Sequence, residues 1–418
     1  MLAVVVSPLR RFTPTAPARA AASFAGAAAA ILSGATPAPA TPAAFAAFVR
    51  SYYPDCALSE KSFSAEGAAA LALAAGGGGF PRALRAALEA PALFADEGLL
   101  LPILPIPAPG APPSQRVVAL TAAHVDAALA FILFCVKAGG AGDEWCFPDL
   151  HVLEFPGTVA ALLRHFAVDG APPPRLTVTR TRVGPEHLPA LLATARALPP
   201  VEFVRSGAGQ PVRVLFADPY LGGGVLFKAG TQEEALLREA PALLAAMPIA
   251  MRMESGDSAR FHRGAQEALA LAGEGGPTLV AMDAARFQVL AHEDQFSKGW
   301  VERDAAKALA GFLCAASAAG GAAAAVSTAA WGCGTYKGDV ALKFLLQWLA
   351  AAAAGVGVLR WECEYAPAST FEERGAALVG ALRGVAPAQL WGWLCAYGDA
   401  PAPRADLCDF LVQQAGCA

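Results

Sequence analysis

The amino-acid sequence predicts a layered α/β fold preceded by a helical region. Apolar residues recur at helical spacing from about residue 81 to 166, before three consecutive prolines at 172–174. Short runs rich in β-branched residues follow the prolines, and helical segments separate several of them. Strands that alternate with helices are typical of α/β layers. We expect a leader at 1–54, an all-helical accessory domain at 55–172 and an α/β domain at 173–418.

Residues 1–54 contain no acidic residue, since Asp55 is the first. They carry four arginines among alanine, proline, serine and threonine. This composition is typical of a transit peptide that directs a protein to an organelle. A disordered, low-complexity leader explains it equally well, so both interpretations stay open.

The helical region begins with two predicted helices. Thr121 can cap a helix that runs through Val125 and Leu133 and ends at Gly139-Gly140, and a second helix covers 159–166. After the prolines, we predict strands at 176–179, 201–204, 212–216 and 278–282. We predict the intervening helices at 189–197, 233–246, 301–316 and 340–354.

Composition excludes several classes of function. The net charge of -4 provides no general attraction to nucleic acid. No apolar run reaches the roughly 20 residues of a membrane span. The nine cysteines form no CxxC pair and show no metal-ligand spacing with the six histidines, which is typical of reduced intracellular thiols. We expect an intracellular monomer, nuclear or cytoplasmic unless the leader targets an organelle, without metal, cofactor, membrane contact or direct nucleic-acid contact.

The first candidate binding loop carries three consecutive glycines, Gly222, Gly223 and Gly224, after the strand at 212–216. Asp218 lies between that strand and the glycines. Glycines let backbone N–H groups approach an anion closely, and the helix that begins near Gln232 adds a favourable dipole. The loop matches neither the dinucleotide fingerprint nor a Walker A sequence.

The candidate acids Glu233 and Glu234 open the helix after this loop. Thr231 to Glu234 also reads as a capping box, in which the acid only stabilises the start of the helix. The capping and catalytic interpretations both remain possible from the residues alone.

The second candidate loop is Trp331-Gly332-Cys333-Gly334-Thr335-Tyr336-Lys337-Gly338-Asp339. Asp339 is suited to cap the helix that follows it. Backbone amides and a helix N-terminus again converge, beside the ring of Tyr336. Two such loops suit a diphosphate flanked by sugars.

The segment from Gly222 through Gln232-Glu233-Glu234, together with the loop beginning at Trp331, resembles the poly(ADP-ribose) glycohydrolase family. Shorter similar pieces occur in the same order between about residues 81 and 400: Phe147-Pro148-Asp149, Val280-Ala281-Met282-Asp283-Ala284, Asp294-Gln295-Phe296 and Gly311-Phe312-Leu313. The resemblance implies a macrodomain-like catalytic core with a mixed sheet flanked by helices.

The resemblance also implies a reaction, namely hydrolysis of the ribose–ribose O-glycosidic bond of poly(ADP-ribose) on modified proteins, which releases ADP-ribose. By motif position Glu234 matches the general acid and Glu233 the residue that holds the ribose hydroxyls, and Asp218 is a third candidate for the catalytic group. The candidate substrate-binding residues are Gly222, Gly223, Gly224, Gln232, Gly332, Cys333, Gly334 and Tyr336.

Several positions depart from the family pattern around the expected ligand. Leu215 replaces an aspartate, Asp218 an asparagine and Tyr336 a phenylalanine, while Ala265 occupies the place of a ligand-clasping tyrosine that Phe261 or His262 could replace. Both acids and the glycines are present, so we expect an active, divergent enzyme. A weak or inactive ADP-ribose-binding module is the alternative.

Overall fold

A computed structural model describes residues 17–52, 59–94, 97–99, 101–108, 110–134, 156–167, 175–226, 230–250, 252–253, 265–288, 292–321, 325–364, 366–400 and 405–417. Its strands are β1 (Ser114–Leu120), β2 (Leu176–Val183), β3 (Val201–Val204), β4 (Val212–Ala217), β5 (Gln266–Gly273), β6 (Thr278–Asp283), β7 (Ala325–Thr328) and β8 (Val358–Glu362).

The α-helices occur on both sides of these strands in the chain. They are α1 (Pro17–Leu32), α2 (Pro42–Tyr52), α3 (Ala65–Gly76), α4 (Gly79–Leu93), α5 (Ala122–Phe134), α6 (Pro156–Ala167), α7 (His187–Leu192), α8 (Gln232–Glu239), α9 (Lys298–Ala318), α10 (Val340–Ala353), α11 (Ala368–Ala381), α12 (Pro387–Asp399) and α13 (Leu407–Cys417).

The strands form one mixed sheet in the order β1-β2-β5-β6-β4-β7-β8-β3. The pairs from β1 to β6 are antiparallel, and the pairs from β6 to β3 are parallel. Ala217 pairs with Asp283, so β4 and β6 end level with each other. The loops that follow β4, β6 and β7 therefore leave the sheet at the same edge, which positions the candidate site.

Alternating residues of the central strands enter two separate cores. In β6, Leu279 and Ala281 belong to the core that includes the N-terminal helices, whereas Val280 and Met282 belong to the core formed with α9 and α10. Successive side chains of a strand point to opposite faces, so each face of the sheet is covered by one helical layer. The predicted α/β fold, a mixed sheet flanked by helices, is confirmed.

The N-terminal segment differs from the expected leader. Residues 17–52 form α1 and α2, and Phe24, Phe45 and Tyr52 are buried in the first core against Phe134 of α5. The expectation of an unstructured leader is therefore corrected for these residues, because their few aromatic side chains bury enough surface to order an alanine-rich sequence. Residues 1–16 lie outside the described part of the chain.

The boundary expected at residue 172 is also crossed by the structure. Strand β1, which lies in the region predicted to be all-helical, pairs with β2 at one edge of the sheet. The helices of that region share one continuous core with the sheet residues Leu269 and Leu279. Strand pairing with a partner more than 50 residues away cannot be read from local helical spacing, which explains the correction.

Most predicted elements occur close to the expected residues. The strand at Val201–Val204 agrees at both ends, and α5, α6, α9 and α10 overlap the predicted helices closely. The helix predicted at 233–246 is interrupted: α8 ends at Glu239, and a 3-10 helix follows at Pro241–Ala246. Proline lacks the N–H group of an α-helix and clashes with the preceding turn. The predicted helix end at Gly139-Gly140 lies outside the described residues.

The described residues contain neither a membrane-spanning helix nor a cluster of metal ligands. None of the helices among them is long and apolar enough to cross a membrane. None of their histidine, cysteine, aspartate and glutamate side chains form a group of three or more that could hold a metal ion.

Candidate active site

The first glycine loop turns sharply after β4. Gly222 and Gly223 have φ angles of 99° and 49°, in the left-handed region that glycine adopts most readily. A Cβ atom built on Gly223 would lie 2.7 Å from Oε2 of Glu233. The loop backbone therefore passes directly over this acid, and the absence of a side chain is what permits the approach.

Glu233 binds the loop through both carboxylate oxygens. Its Oε1 accepts a hydrogen bond from the backbone N–H of Gly222 at 2.7 Å, and its Oε2 accepts one from Asp218 at 2.9 Å. The side chain is 2% exposed. Glu233 thus holds the two ends of the turn together beneath the glycines.

Glu234 is equally buried and contacts two other backbone groups. Its Oε1 accepts from the N–H of Gly224 at 3.1 Å, and its Oε2 accepts from Thr231 at 2.7 Å. Thr231 Oγ1 accepts in return from the N–H of Glu234 at 3.5 Å, which completes a capping box. The capping interpretation is therefore correct as geometry, and the contact with Gly224 also places this acid at the glycine loop.

Electrostatics favour the protonated form of Glu233. Burial raises the pKa of this carboxyl well above its usual value of 4.5, and the nearby charges of Asp218 and Glu234 act in the same direction. The backbone N–H groups of Asp218 and Gly222 oppose the rise without cancelling it. The buried setting of Glu233 therefore disfavours the ionised form of its carboxyl group.

Gln232 serves the site by anchoring its helix. The side-chain Oε1 accepts from the N–H of Phe216 at 2.9 Å, and Nε2 donates to the carbonyl oxygen of Val214 at 2.7 Å. Both ends of the amide are thus bonded to β4. These two hydrogen bonds position the start of α8, and the substrate contact of Gln232 stays a prediction.

The second loop is anchored by a buried tryptophan. Nε1 of Trp331 donates to the carbonyl oxygen of Met282 at 3.0 Å, and the side chain is fully buried. Gly332 has a φ angle of 75°, and an added Cβ would lie 2.5 Å from that of Ala284. Asp339 accepts from the N–H of Leu342 at 2.8 Å, which confirms it as the cap of α10.

The other predicted residues of this loop face different environments. Cys333 is buried, and burial raises the pKa of its thiol to about 12, so this side chain is inert. Gly334 borders open space, since no atom lies within 4 Å of a Cβ built there. Tyr336 is half-buried, and burial followed by the charge of Asp218 raises the pKa of its hydroxyl.

A chain of buried charges supports the second loop from below. Nζ of Lys343 lies 4.3 Å from the ring centre of Trp331 and bonds to Asp304. Asp304 contacts Arg303 at 2.6 Å, and Arg303 contacts Asp283 at the end of β6 at 2.5 Å. Burial alone would raise the pKa of Asp304, but Lys343 and Arg303 lower it below its usual value. The chain connects α9, α10 and β6 under the loop.

Arg286 joins the two loops and was not singled out in the sequence. Its guanidinium contacts Oδ2 of Asp218 at 3.0 Å, and its Cζ lies 5.0 Å from the ring centre of Tyr336. The available signal was its position just after β6, at the edge where the loop after β4 also leaves the sheet.

The structure brings together Asp218, Glu233, Glu234, Tyr336 and the first glycine loop. The two residues expected to compensate for Ala265, Phe261 and His262, lie outside the described part of the chain. The assembled edge offers backbone turns for an anion beside two buried acids and an aromatic ring.

A mixed sheet with helices on both faces and two glycine loops at one edge defines a macrodomain-type α/β fold. Residues 269–365 match the family model for poly(ADP-ribose) glycohydrolase (PARG), macro domain fold, in agreement with the resemblance found in the sequence. The match includes the second loop and begins after the first loop and the acidic pair.

One similar solved structure is the X-ray crystal structure of poly(ADP-ribose) glycohydrolase from Thermomonospora curvata. It is 18% identical, with 47% of this chain and 85% of that chain covered and a TM-score of 0.32. A search of curated proteins found no match.

Proposed function

We propose that this protein hydrolyses ribose–ribose O-glycosidic bonds of poly(ADP-ribose) and releases ADP-ribose. The observation that carries the proposal is the position of Glu233 and Glu234, both 2% exposed, beneath the backbone of the glycine loop that they bind. A family model that covers residues 269–365 supports the same activity. The substrate is polymer attached to modified proteins.

The two acids divide the chemistry between them. Consecutive helical residues point about 100° apart, so the pair cannot flank one bond as in a standard glycosidase. Glu234, by its motif position, donates a proton to the bridging oxygen as the C1–O bond breaks. Water then adds to the oxocarbenium-like carbon and returns a proton to the carboxylate.

Substrate binding falls to backbone groups of the two loops. Gly222, Gly223 and Gly224 face the diphosphate from one side, and Gly332 and Gly334 from the other. Glu233 holds the ribose hydroxyls, and the ring of Tyr336 lines the site. The protein acts as an intracellular monomer, in the nucleus, the cytoplasm or an organelle, without a cofactor or a metal.

An ADP-ribose-binding module without turnover is the second candidate. It is favoured by the hydrogen bonds of Glu234, whose two oxygens already accept from Gly224 and Thr231. A carboxyl in this arrangement must give up one acceptor contact before it can donate a proton. The binding module and the enzyme share the loops and differ only in turnover.

Incubation of the purified protein with poly(ADP-ribose), with release of ADP-ribose followed by chromatography, tests the proposal. Glu234→Gln should lower turnover by about 10²–10⁴-fold and leave polymer affinity nearly unchanged. Glu233→Gln should weaken both binding and turnover. Glu239→Gln, an exposed position on the same helix, is the control.

Each outcome of this experiment has a distinct meaning. Wild-type protein that binds polymer and releases no ADP-ribose is a binding module. Turnover that survives Glu234→Gln and stops with Glu233→Gln moves the general acid to Glu233. If neither substitution changes turnover, the assignment of the general acid to Glu233 or Glu234 is refuted.

A further inference from the structure

Arg286 reaches across the edge of the sheet between the two candidate loops. It follows β6, contacts Asp218 after β4 at 3.0 Å, and packs its guanidinium against Tyr336, which follows β7, at 5.0 Å. Strand β4 lies between β6 and β7 in the sheet. The side chain of Arg286 therefore crosses over the carboxyl end of β4, where the first glycine loop begins.

This cation lies in a strongly acidic setting. Asp218 and Glu233 are close enough to raise the pKa of the Tyr336 hydroxyl beyond the rise caused by burial, while Arg286 lowers it. A diphosphate placed between the loops would add two further negative charges to this edge. Backbone amides can donate hydrogen bonds to it, but they carry no net charge to balance the nearby carboxylates.

The contact between Arg286 and Asp218 is suited to exchange. The two side chains are 43% and 30% exposed, and water weakens ion pairs at such positions. A guanidinium binds phosphate oxygens with the same planar, two-point geometry that it uses for carboxylates. The guanidinium of Arg286 can keep its contact with the ring of Tyr336 while a phosphate replaces the carboxylate of Asp218.

We propose that Arg286 is a specificity-determining residue that exchanges Asp218 for the diphosphate of the ligand. The inference rests on the proposed function, since it assigns a diphosphate-bearing ligand to the same site. Asp218 thus acts as an internal competitor that holds Arg286 in place when the site is empty. Ligands that lack the diphosphate cannot displace this competitor.

Calorimetric titration of the full chain with ADP-ribose and, separately, with adenosine tests the exchange. Arg286→Gln should weaken ADP-ribose binding by about tenfold, the effect of roughly 1.4 kcal/mol, and leave adenosine binding unchanged. Arg286→Lys should fall between wild type and Arg286→Gln, since it keeps the charge and loses the planar fork. Arg374→Gln is a matched control, because Arg374 of α11 forms an ion pair of similar exposure with Asp406, and among the described residues neither of the two forms an ion pair or ring contact with Asp218 or Tyr336.

Asp218→Asn supplies the second arm. Asparagine keeps an oxygen for the Tyr220 N–H, which donates to Oδ1 of Asp218 at 3.0 Å, and removes the competing charge. ADP-ribose should bind several-fold more tightly to this variant, and most of that gain should disappear when Arg286→Gln is added. If Asp218→Asn raises ADP-ribose affinity by the same factor in wild-type protein and in the Arg286→Gln variant, the proposed exchange is overturned.

The remaining outcomes separate the two proposals. If wild-type protein binds ADP-ribose and Arg286→Gln binds it equally well, the inference fails and the proposed function stands. If Arg286→Gln weakens ADP-ribose and adenosine binding alike, Arg286 only maintains the shape of the loops, and the inference again fails. If wild-type protein binds no ADP-ribose, the proposed function fails, and the inference fails with it.

Discussion

Gly334 and Gly223 differ in what a side chain would meet. Gly223 has a positive φ angle and would clash with Glu233, whereas a Cβ on Gly334 would meet no atom within 4 Å. A substitution at Gly223 therefore mixes strain with any effect on the ligand. A substitution at Gly334 changes only the surface that the ligand approaches.

We expect Gly334→Ala to preserve stability and to weaken ADP-ribose binding, because the methyl group would keep the diphosphate away from the loop amides. Thermal unfolding and calorimetric titration would measure the two effects. Gly321→Ala, which also meets no atom within 4 Å, is the control. Unchanged affinity in Gly334→Ala would show that the ligand does not approach this residue.

The buried carboxyl of Glu233 gives the stability a pH dependence. Its pKa is well above 4.5 in the folded protein and ordinary in the unfolded chain. Between these two values the folded protein binds more protons than the unfolded chain, so this group's contribution to the free energy of unfolding falls as pH rises. The contribution is fully present at low pH and is lost as pH rises through the folded pKa.

Glu233→Gln cannot ionise and should remove this pH dependence. We expect the difference in Tm, variant minus wild type, to become more positive as pH rises from about 4.5 towards neutrality. Scanning calorimetry at several pH values would measure it, with Glu239→Gln as the control. A difference that stays constant over this range would mean that Glu233 titrates normally.

At the scale of elements, the site depends on how α8 is attached to β4. Gln232 makes this attachment with two hydrogen bonds to backbone groups of Phe216 and Val214. The helix itself is only eight residues long and ends before Pro241. Its position therefore depends on such contacts more than on its own helical stability.

Gln232→Ala should lower the free energy of unfolding by about 1–3 kcal/mol, because two backbone groups of β4 lose their partners. It should also slow ADP-ribose release, since Glu233 and Glu234 follow directly in the helix. Chemical denaturation and turnover would be measured together, and Gln389→Ala, at an exposed position of α12, is the control. Full activity in Gln232→Ala would show that the loop alone positions the acids.

Composition explains why some strands were predicted, although β7 and β8 were missed despite their valine residues. Strands β3, β4 and β6 are rich in valine, leucine and aromatic residues and were found from the sequence, whereas β5 (Gln266–Gly273) contains mainly alanine and leucine and was missed. Nothing local distinguishes such a segment from a helix. It becomes a strand because β2 and β6 pair with it on both sides.

At the scale of the whole molecule, the N-terminal helices are part of the main core. Phe45 of α2 is fully buried, with its ring centre 5.7, 5.9 and 6.1 Å from those of Phe63, Phe80 and Phe134. These partners come from three different parts of the chain. Removal of α2 would expose all three rings to water.

Phe45→Ala should lower the free energy of unfolding by about 3–5 kcal/mol through the cavity it leaves. Thermal or chemical unfolding would measure the loss, and Leu73→Ala, at a side chain that is 61% exposed, should change stability little. Equal stability of Phe45→Ala and wild type would mean that residues 17–52 do not pack as described.

The sequence alone predicted the order of the motifs, the fold class and the resemblance to a family. It also located the glycine loop, the acidic pair and the second loop, because these features are contiguous segments in which residue type and spacing carry the signal. The same residues, Thr231 to Glu234, fit both a capping box and the proposed catalytic motif, so the sequence did not decide between the two interpretations.

Only the tertiary structure decided which of these segments meet and what surrounds them. The pairing of β4 with β6 and β7 brings Asp218, Arg286 and Tyr336 to one edge, although 118 positions separate Asp218 from Tyr336 in the numbering. The packing of distant segments buries Glu233, which raises its pKa, and it also buries the alanine-rich helices α1 and α2. Such long-range contacts leave no local pattern, since a residue's burial depends on segments far away in sequence.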